Sequence, residues 1–181
     1  GLFCIVQFKY GLFTGKVGYI VNRDLPYVAE TAVTLVGNAL GTLIAALLLR
    51  QVRFFTSTVS TMDVTISDRV QATVSGKIHD NPLSIFILAI FCGILMFTAV
   101  EGSRKCREEK NFTGSLFVVV MPVMVFIICG FNHCIADMFY YFFAGCPEPS
   151  KAIVYFILAI AGNSVGGMIV PLLKKLSNQP L

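Results

Sequence analysis

Two short runs bring together residue types that can bind an anion or move a proton. The first, Gly130-Phe131-Asn132-His133-Cys134-Ile135-Ala136-Asp137, carries an amide, an imidazole, a thiol and a carboxylate within an apolar stretch. A neutral imidazole can exchange a proton near physiological pH. A polar group at membrane depth is costly unless it is satisfied, so each one there is a functional candidate. Asp137 lies four residues past His133, where it either orients a neighbouring group or caps a helix. The second run, Leu12-Phe13-Thr14-Gly15-Lys16, offers the Thr14 hydroxyl as donor and acceptor. Glycines flanking this run's Phe-Thr pair let the chain leave helical geometry and free backbone N–H groups to face a cavity; a glycine kink in a packing helix is the alternative. Cys134 beside His133 suggests a nucleophile and its base. Neighbours on a helix point about 100° apart, however, and no third orienting group is evident.

These runs belong to a chain that must meet lipid. Of its 181 residues, 56% are hydrophobic and 13% charged, and the mean hydropathy is +0.77. A soluble domain carries roughly a quarter charged residues. That shortfall excludes a disordered tail, a basic nucleic-acid module and an ordinary soluble enzyme. The net charge of +4 resides in loops, so no nucleic-acid partner is expected. The six cysteines form no CxxC pair and mostly lie in apolar runs, where cysteine behaves as a small hydrophobe. Neither a disulfide framework, a metal site nor a cofactor is expected.

Four stretches, Thr31–Leu49, Leu83–Val100, Phe112–Phe131 and Ala152–Leu173, lack Asp, Glu, Lys and Arg; a bilayer-crossing helix needs about 20 apolar residues. A further apolar segment, Gly1–Val21, holds Lys9 and Lys16. Hydrophobicity continues past Phe131 to Gly145, which predicts a helix that breaks near Gly130 and resumes. The reading is one transmembrane domain over 1–181, with spans at about 1–21, 27–49, 82–103, 112–144 (broken) and 151–174. The connection 50–81 is expected to hold a short helix or extended piece on the outer side. Seven basic residues (Arg23, Arg104, Lys105, Arg107, Lys110, Lys174 and Lys175) gather at one set of span ends. Five, Arg50, Arg53, Arg69, Lys77 and Lys151, spread over the other. The positive-inside rule therefore puts the first set and the C terminus in the cytoplasm. Snorkelling accounts for Lys9 and Glu101 near span ends. Lys77 would attract anions if it stands at a pore mouth, and is otherwise a solvated loop lysine.

The sequence also repeats itself. GNALGTLIAALL at Gly37–Leu48 matches GNSVGGMIVPLL at Gly162–Leu173, with Gly, Asn, Gly, Ile, Leu and Leu at the same places 125 residues apart. Each copy follows a Gly-interrupted segment, which favours a true repeat over two chance packing seams. Three spans per half imply two halves inverted across the membrane, a plan of transporters and channels. By that arithmetic the first helix is missing from this chain.

Together these residues resemble the formate/nitrite transporter family. The resemblance is carried by LFTG at Leu12–Gly15, GNALG at Gly37–Gly41, GIL at Gly93–Leu95, GFNHCIADMF at Gly130–Phe139 and GNSVGG at Gly162–Gly167. It implies an all-α membrane protein, an aquaporin-like inverted repeat of three plus three helices with two broken helices, here without its first helix. It also implies a homopentamer with a pore in each protomer, in the bacterial cytoplasmic membrane. Thr14 and His133 would then line the pore, with Lys77 drawing anions in from outside. Leu12 and Phe13 would close one constriction, and Leu2 and Phe126 a second, cytoplasmic one. Departures from the pattern are Lys16 for a small polar residue, Asn132 for Glu, Asp137 for Asn, Phe97 for Asn, and a Lys77 placed one helical turn early. They are reminiscent of the hydrosulfide branch and bear on substrate more than on fold.

The implied function is passage of small monovalent weak-acid anions (formate, nitrite or hydrosulfide) with protons, not an enzymatic reaction. A bare anion pays a large desolvation cost between apolar collars. Protonation assisted by His133 and Thr14 would let the neutral acid cross. Two rivals stand beside this reading: a structural or sensory membrane subunit of the same fold, and an intramembrane enzyme built on Cys134 and His133. The Asn-Pro-Ala signals of a neutral-solute channel are not found.

Overall fold

A computed structural model describes residues 8, 10–56, 58–59 and 64–177. A helical turn, α1 (Phe13–Lys16), runs into a 3-10 segment over Val17–Asn22. The long helix α2 (Leu25–Arg50) follows, with Pro26 in its first turn, where a missing N–H costs nothing. The 50–81 connection holds a two-residue hairpin, β1 (Thr58–Val59) against β2 (Val64–Thr65), and the helix α3 (Ile66–Ile78). Thr65 and Asp68 form a capping box that starts α3. Helix α4 (Pro82–Glu108) returns across the bundle, and α5 (Phe112–Ile128) leads back. After an irregular stretch comes α6 (Cys134–Ala144), then α7 (Pro149–Leu176). Gly130 at φ +68° ends the α5 segment and Gly145 at φ +91° ends α6, a left-handed geometry that glycine takes without a side-chain clash.

Among the described residues three helices, α2, α4 and α7, are long and apolar enough to cross a membrane. Their outer faces remain apolar, with Val33, Leu40 and Ile44 on α2 and Ile153 and Ile157 on α7 exposed. In water such faces would be buried, so this is the surface of an integral membrane protein.

The central packing joins α4 to α7, which run parallel at backbone contact. A Cβ on Gly93 would lie 2.3 Å from the Asn163 carbonyl oxygen, and one on Gly166 2.0 Å from that of Ile90. Only glycine permits this approach, the small-residue device by which helices associate in lipid. Helix α2 runs the opposite way. Its last residue, Arg50, meets Gly145 just before α7 begins. The two repeat copies therefore traverse the molecule in opposite senses, as an inverted repeat requires.

Candidate functional site

Both repeat asparagines face the chain breaks. Asn38 on α2 accepts from the Phe13 N–H at 2.9 Å and donates to the Gly11 carbonyl at 3.0 Å. Asn163 on α7 accepts from the Cys134 N–H at 2.9 Å and donates to the Asn132 carbonyl at 2.8 Å. It donates also to the Ala89 carbonyl at 2.8 Å. Each amide thus bridges the carbonyl of one residue and the N–H of the residue two further on, which is where a broken helix leaves backbone groups unpaired. The repeat marked these asparagines without indicating their task. Two of the backbone N–H groups at the breaks do not face a cavity: those of Phe13 and Cys134 are bound by Asn38 and Asn163. The first break also falls earlier than the flanking glycines suggested. Leu12 is extended, at φ −118° and ψ 126°, and Thr14 and Gly15 already lie in the helical turn α1.

The breaks bring Thr14 and His133 together. Thr14 is fully buried and His133 is 5% exposed, with the Thr14 hydroxyl 3.2 Å from His133 Nε2. The other ring nitrogen is committed, because Nδ1 accepts from the Ala136 N–H at 3.1 Å and caps α6. An amide N–H only donates, so a neutral His133 carries its proton on Nε2 and donates it toward Thr14. Capping belongs to His133 and not to Asp137.

Asp137 instead forms a buried cluster with Lys77, Asn132 and Tyr155. Lys77 Nζ reaches Asn132 Oδ1 at 2.7 Å and Asp137 Oδ1 at 3.2 Å, and the Tyr155 hydroxyl donates to Asp137 Oδ2 at 2.6 Å. Asn132 donates to the Ile85 carbonyl at 3.2 Å. Lys77 meets this cluster despite its early register because it sits in the last turn of the separate helix α3, not on α4. The same cluster takes in both departures flanking His133. A carboxylate sits after the histidine and an amide before it, and Lys77 binds both. Tyr155 was not singled out from sequence, although it stands eight residues before the repeat asparagine.

Two recesses open at opposite ends of the bundle. One, of about 860 Å³, is lined by Leu12, Gly15, Lys16, Arg23, Tyr27 and Arg104 among others. The second, of about 370 Å³, is lined by Lys77, Phe126, Gly130, Phe131, Asp137 and others. The Thr14–His133 pair lies between Leu12 of the first and Phe126 of the second, with the Phe126 ring centroid 5.5 Å from that of His133. Phe13 is buried beside Thr14. Phe126 near the end of α5 shares the recess of Lys77, so its assignment to a constriction on the Arg104 side is corrected to the opposite end. Leu2 and Lys9 lie outside the described residues. Glu101 does not snorkel. It is buried, accepting from the Tyr19 hydroxyl at 2.6 Å and from Arg104 at 2.8 and 3.0 Å. Phe97 is fully buried against the Tyr19 ring, at 5.2 Å between centroids, and lines neither recess.

Two inverted halves that meet at a polar pair between two recesses define an integral membrane protein of inverted-repeat architecture. The sequence matches the formate/nitrite transporter family profile over residues 1–175, and the chain belongs to that family. It is 37% identical over 70 residues to the formate channel FocA of Haemophilus influenzae, covering 39% of this chain and 24% of that protein. It is 28% identical over 103 residues to the formate channel BtFdhC of Bacillus thuringiensis, covering 55% and 39%. To FocA of Escherichia coli K12 it is 26% identical over 141 residues, covering 77% and 48%. The chain thus spans at most about half the length of these relatives. The fold is similar to that of an FNT family ion channel, with TM-score 0.81, 15% identity and coverage of 99% and 73%. It is also similar to a pentameric formate channel with formate bound, with TM-score 0.73, 23% identity and coverage of 98% and 78%.

Proposed function

We propose that this chain conducts a small monovalent weak-acid anion (formate, nitrite or hydrosulfide) through the path Lys77, Phe126, His133–Thr14, Leu12–Phe13. The observation that carries this reading is the buried Thr14–His133 pair, the polar step between two apolar collars, each facing its own recess. Lys77 at one recess raises the local anion concentration. At the collar a bare anion loses its hydration, so passage is favoured once a proton from water converts it to the neutral acid. The proton is returned to water at the far side, and anion and proton cross together. His133 contributes its Nε2–H, and Thr14 its hydroxyl, as hydrogen-bond partners to the migrating acid. A second proton on Nδ1 would have to displace the Ala136 N–H that caps α6, so this role is that of a neutral donor. The apolar outer faces of α2, α5 and α7 suit lipid and a homopentamer like that of the pentameric formate channel. The setting is the bacterial cytoplasmic membrane with the C terminus inside.

Stopped-flow flux in proteoliposomes, comparing formate, nitrite and hydrosulfide at two pH values, tests the reading. Passage of one of them that rises at lower external pH, absent from empty vesicles, supports it. No passage of any of the three by the folded oligomer sinks it in favour of a structural or sensory subunit.

A further inference from the structure

The two halves correspond more closely than the sequence repeat alone indicates, and the correspondence gives Lys16 a place. Counting from the clamped breaks, Phe13 answers to Cys134, so Lys16 answers to Asp137. Counting from the repeat asparagines, Glu30 on α2 answers to Tyr155 on α7, each eight residues before its asparagine. The contacts follow suit. Asp137 is bound by Tyr155, and Lys16 is ion-paired with Glu30. One position of each half therefore carries a charge held by the long helix, negative in one half and positive in the other. In the second half the negative charge fixes Lys77. In the first half the charge is itself a lysine.

We propose, on the channel reading above, that Lys16 is a second anion-attracting residue, serving the recess opposite Lys77, and that Glu30 sets how strongly it attracts. Its side chain is 20% exposed, as is that of Lys77, and each lysine has one carboxylate partner. The Lys16 N–H bonds the Leu12 carbonyl at 3.0 Å, so the residue stands one turn from the collar. Three further cations, Arg23, Arg104 and Arg107, line this recess. Arg104 is held by Glu101 and Glu108, and Arg23 lies over the Tyr27 ring. Lys16 also lies over Tyr27, at 5.3 Å from the ring centroid, which with Glu30 keeps the ammonium at the recess wall. The pore would thus have a tethered lysine at each mouth.

The test is the KM for anion flux measured from each face, with the full chain inserted in one orientation. K16Q is expected to shift the ratio of the two KM values about tenfold against the Lys16 face. K77Q is expected to shift it the other way. E30Q, which frees the ammonium, is expected to favour the Lys16 face, and K16R to restore the wild-type ratio. These shifts should shrink at high ionic strength, which a merely structural role would not produce. An unchanged ratio in K16Q and E30Q, with wild-type protein conducting, overturns the proposal while leaving the channel intact. Should K16Q fail to assemble, the sign of the E30Q shift decides the matter, and no shift again overturns it. Wild-type protein that conducts nothing overturns the channel reading itself and this inference with it.

Discussion

His133 joins two tasks in one ring: Nδ1 closes the first turn of α6 and Nε2 faces Thr14. The substitutions that separate them are informative. In H133N the shorter amide can still accept at the helix start, and its NH2 can still donate, but it cannot titrate. We expect H133N to conduct with a pH dependence like that of wild type, because the proton comes from water. Flux collapse or a flat pH profile in stopped-flow assays would return the proton to the histidine. H133F keeps the ring volume and loses both hydrogen bonds. Loss of an N-cap costs about 1 kcal/mol, so a lowered melting temperature and weaker flux should appear together in that variant.

At the scale of the elements, the two asparagine clamps are not equal. Asn163 ties three backbone groups in a buried setting, whereas Asn38 ties two in a more open one. A buried polar group left without a partner costs about 1–3 kcal/mol. N163A should therefore melt at a clearly lower temperature in detergent than N38A. Equal losses would mean that the breaks are held by the helices around them. A second tie joins α3 to the start of α7. Lys151 bonds Glu148 at 2.7 Å and His79 at 2.6 Å, and Glu148 lies 3.3 Å from His79. The hydrogen bond from Lys151, helped by its charge, holds the Glu148 carboxyl below the usual carboxylate range. A depressed value means that the tie is present above the ordinary carboxylate range and is lost as pH falls through the lowered one. Protease access to the 145–148 connection should rise on that acid side in wild type, and an E148Q variant should show the higher access already at neutral pH.

For the whole molecule, the parallel α4–α7 contact sets the distance between the recesses and the central pair. Ala89 and Ile85 on α4 supply carbonyls to Asn163 and Asn132, so the site is built on this crossing. In G166A the new methyl carbon would meet the Ile90 carbonyl at 2.0 Å, and the helices must separate. Overpacking of this kind typically costs about 1–3 kcal/mol. Melting temperature and flux should fall together in G166A, with the oligomer still forming. Unchanged flux would show that the pore tolerates a wider crossing.

The sequence by itself determined that the chain enters a membrane, because too few charges remain to face water. It also disclosed two inverted halves, the break near Gly130 and the polar runs around Thr14 and His133. These features are local, written in hydropathy, glycine placement and a repeated Gly-Asn. Only the tertiary structure decided what the repeat asparagines do, since an amide's partners lie at breaks far away in the chain. It also moved Phe126 to the recess of Lys77 and brought Lys77 to Asp137 and Asn132 across 55 residues or more. The tautomer of His133 likewise depended on a contact, the Ala136 N–H, that composition and spacing do not reveal. Burial and hydrogen-bond direction are properties of several elements packed together, and they exist only once the helices have met.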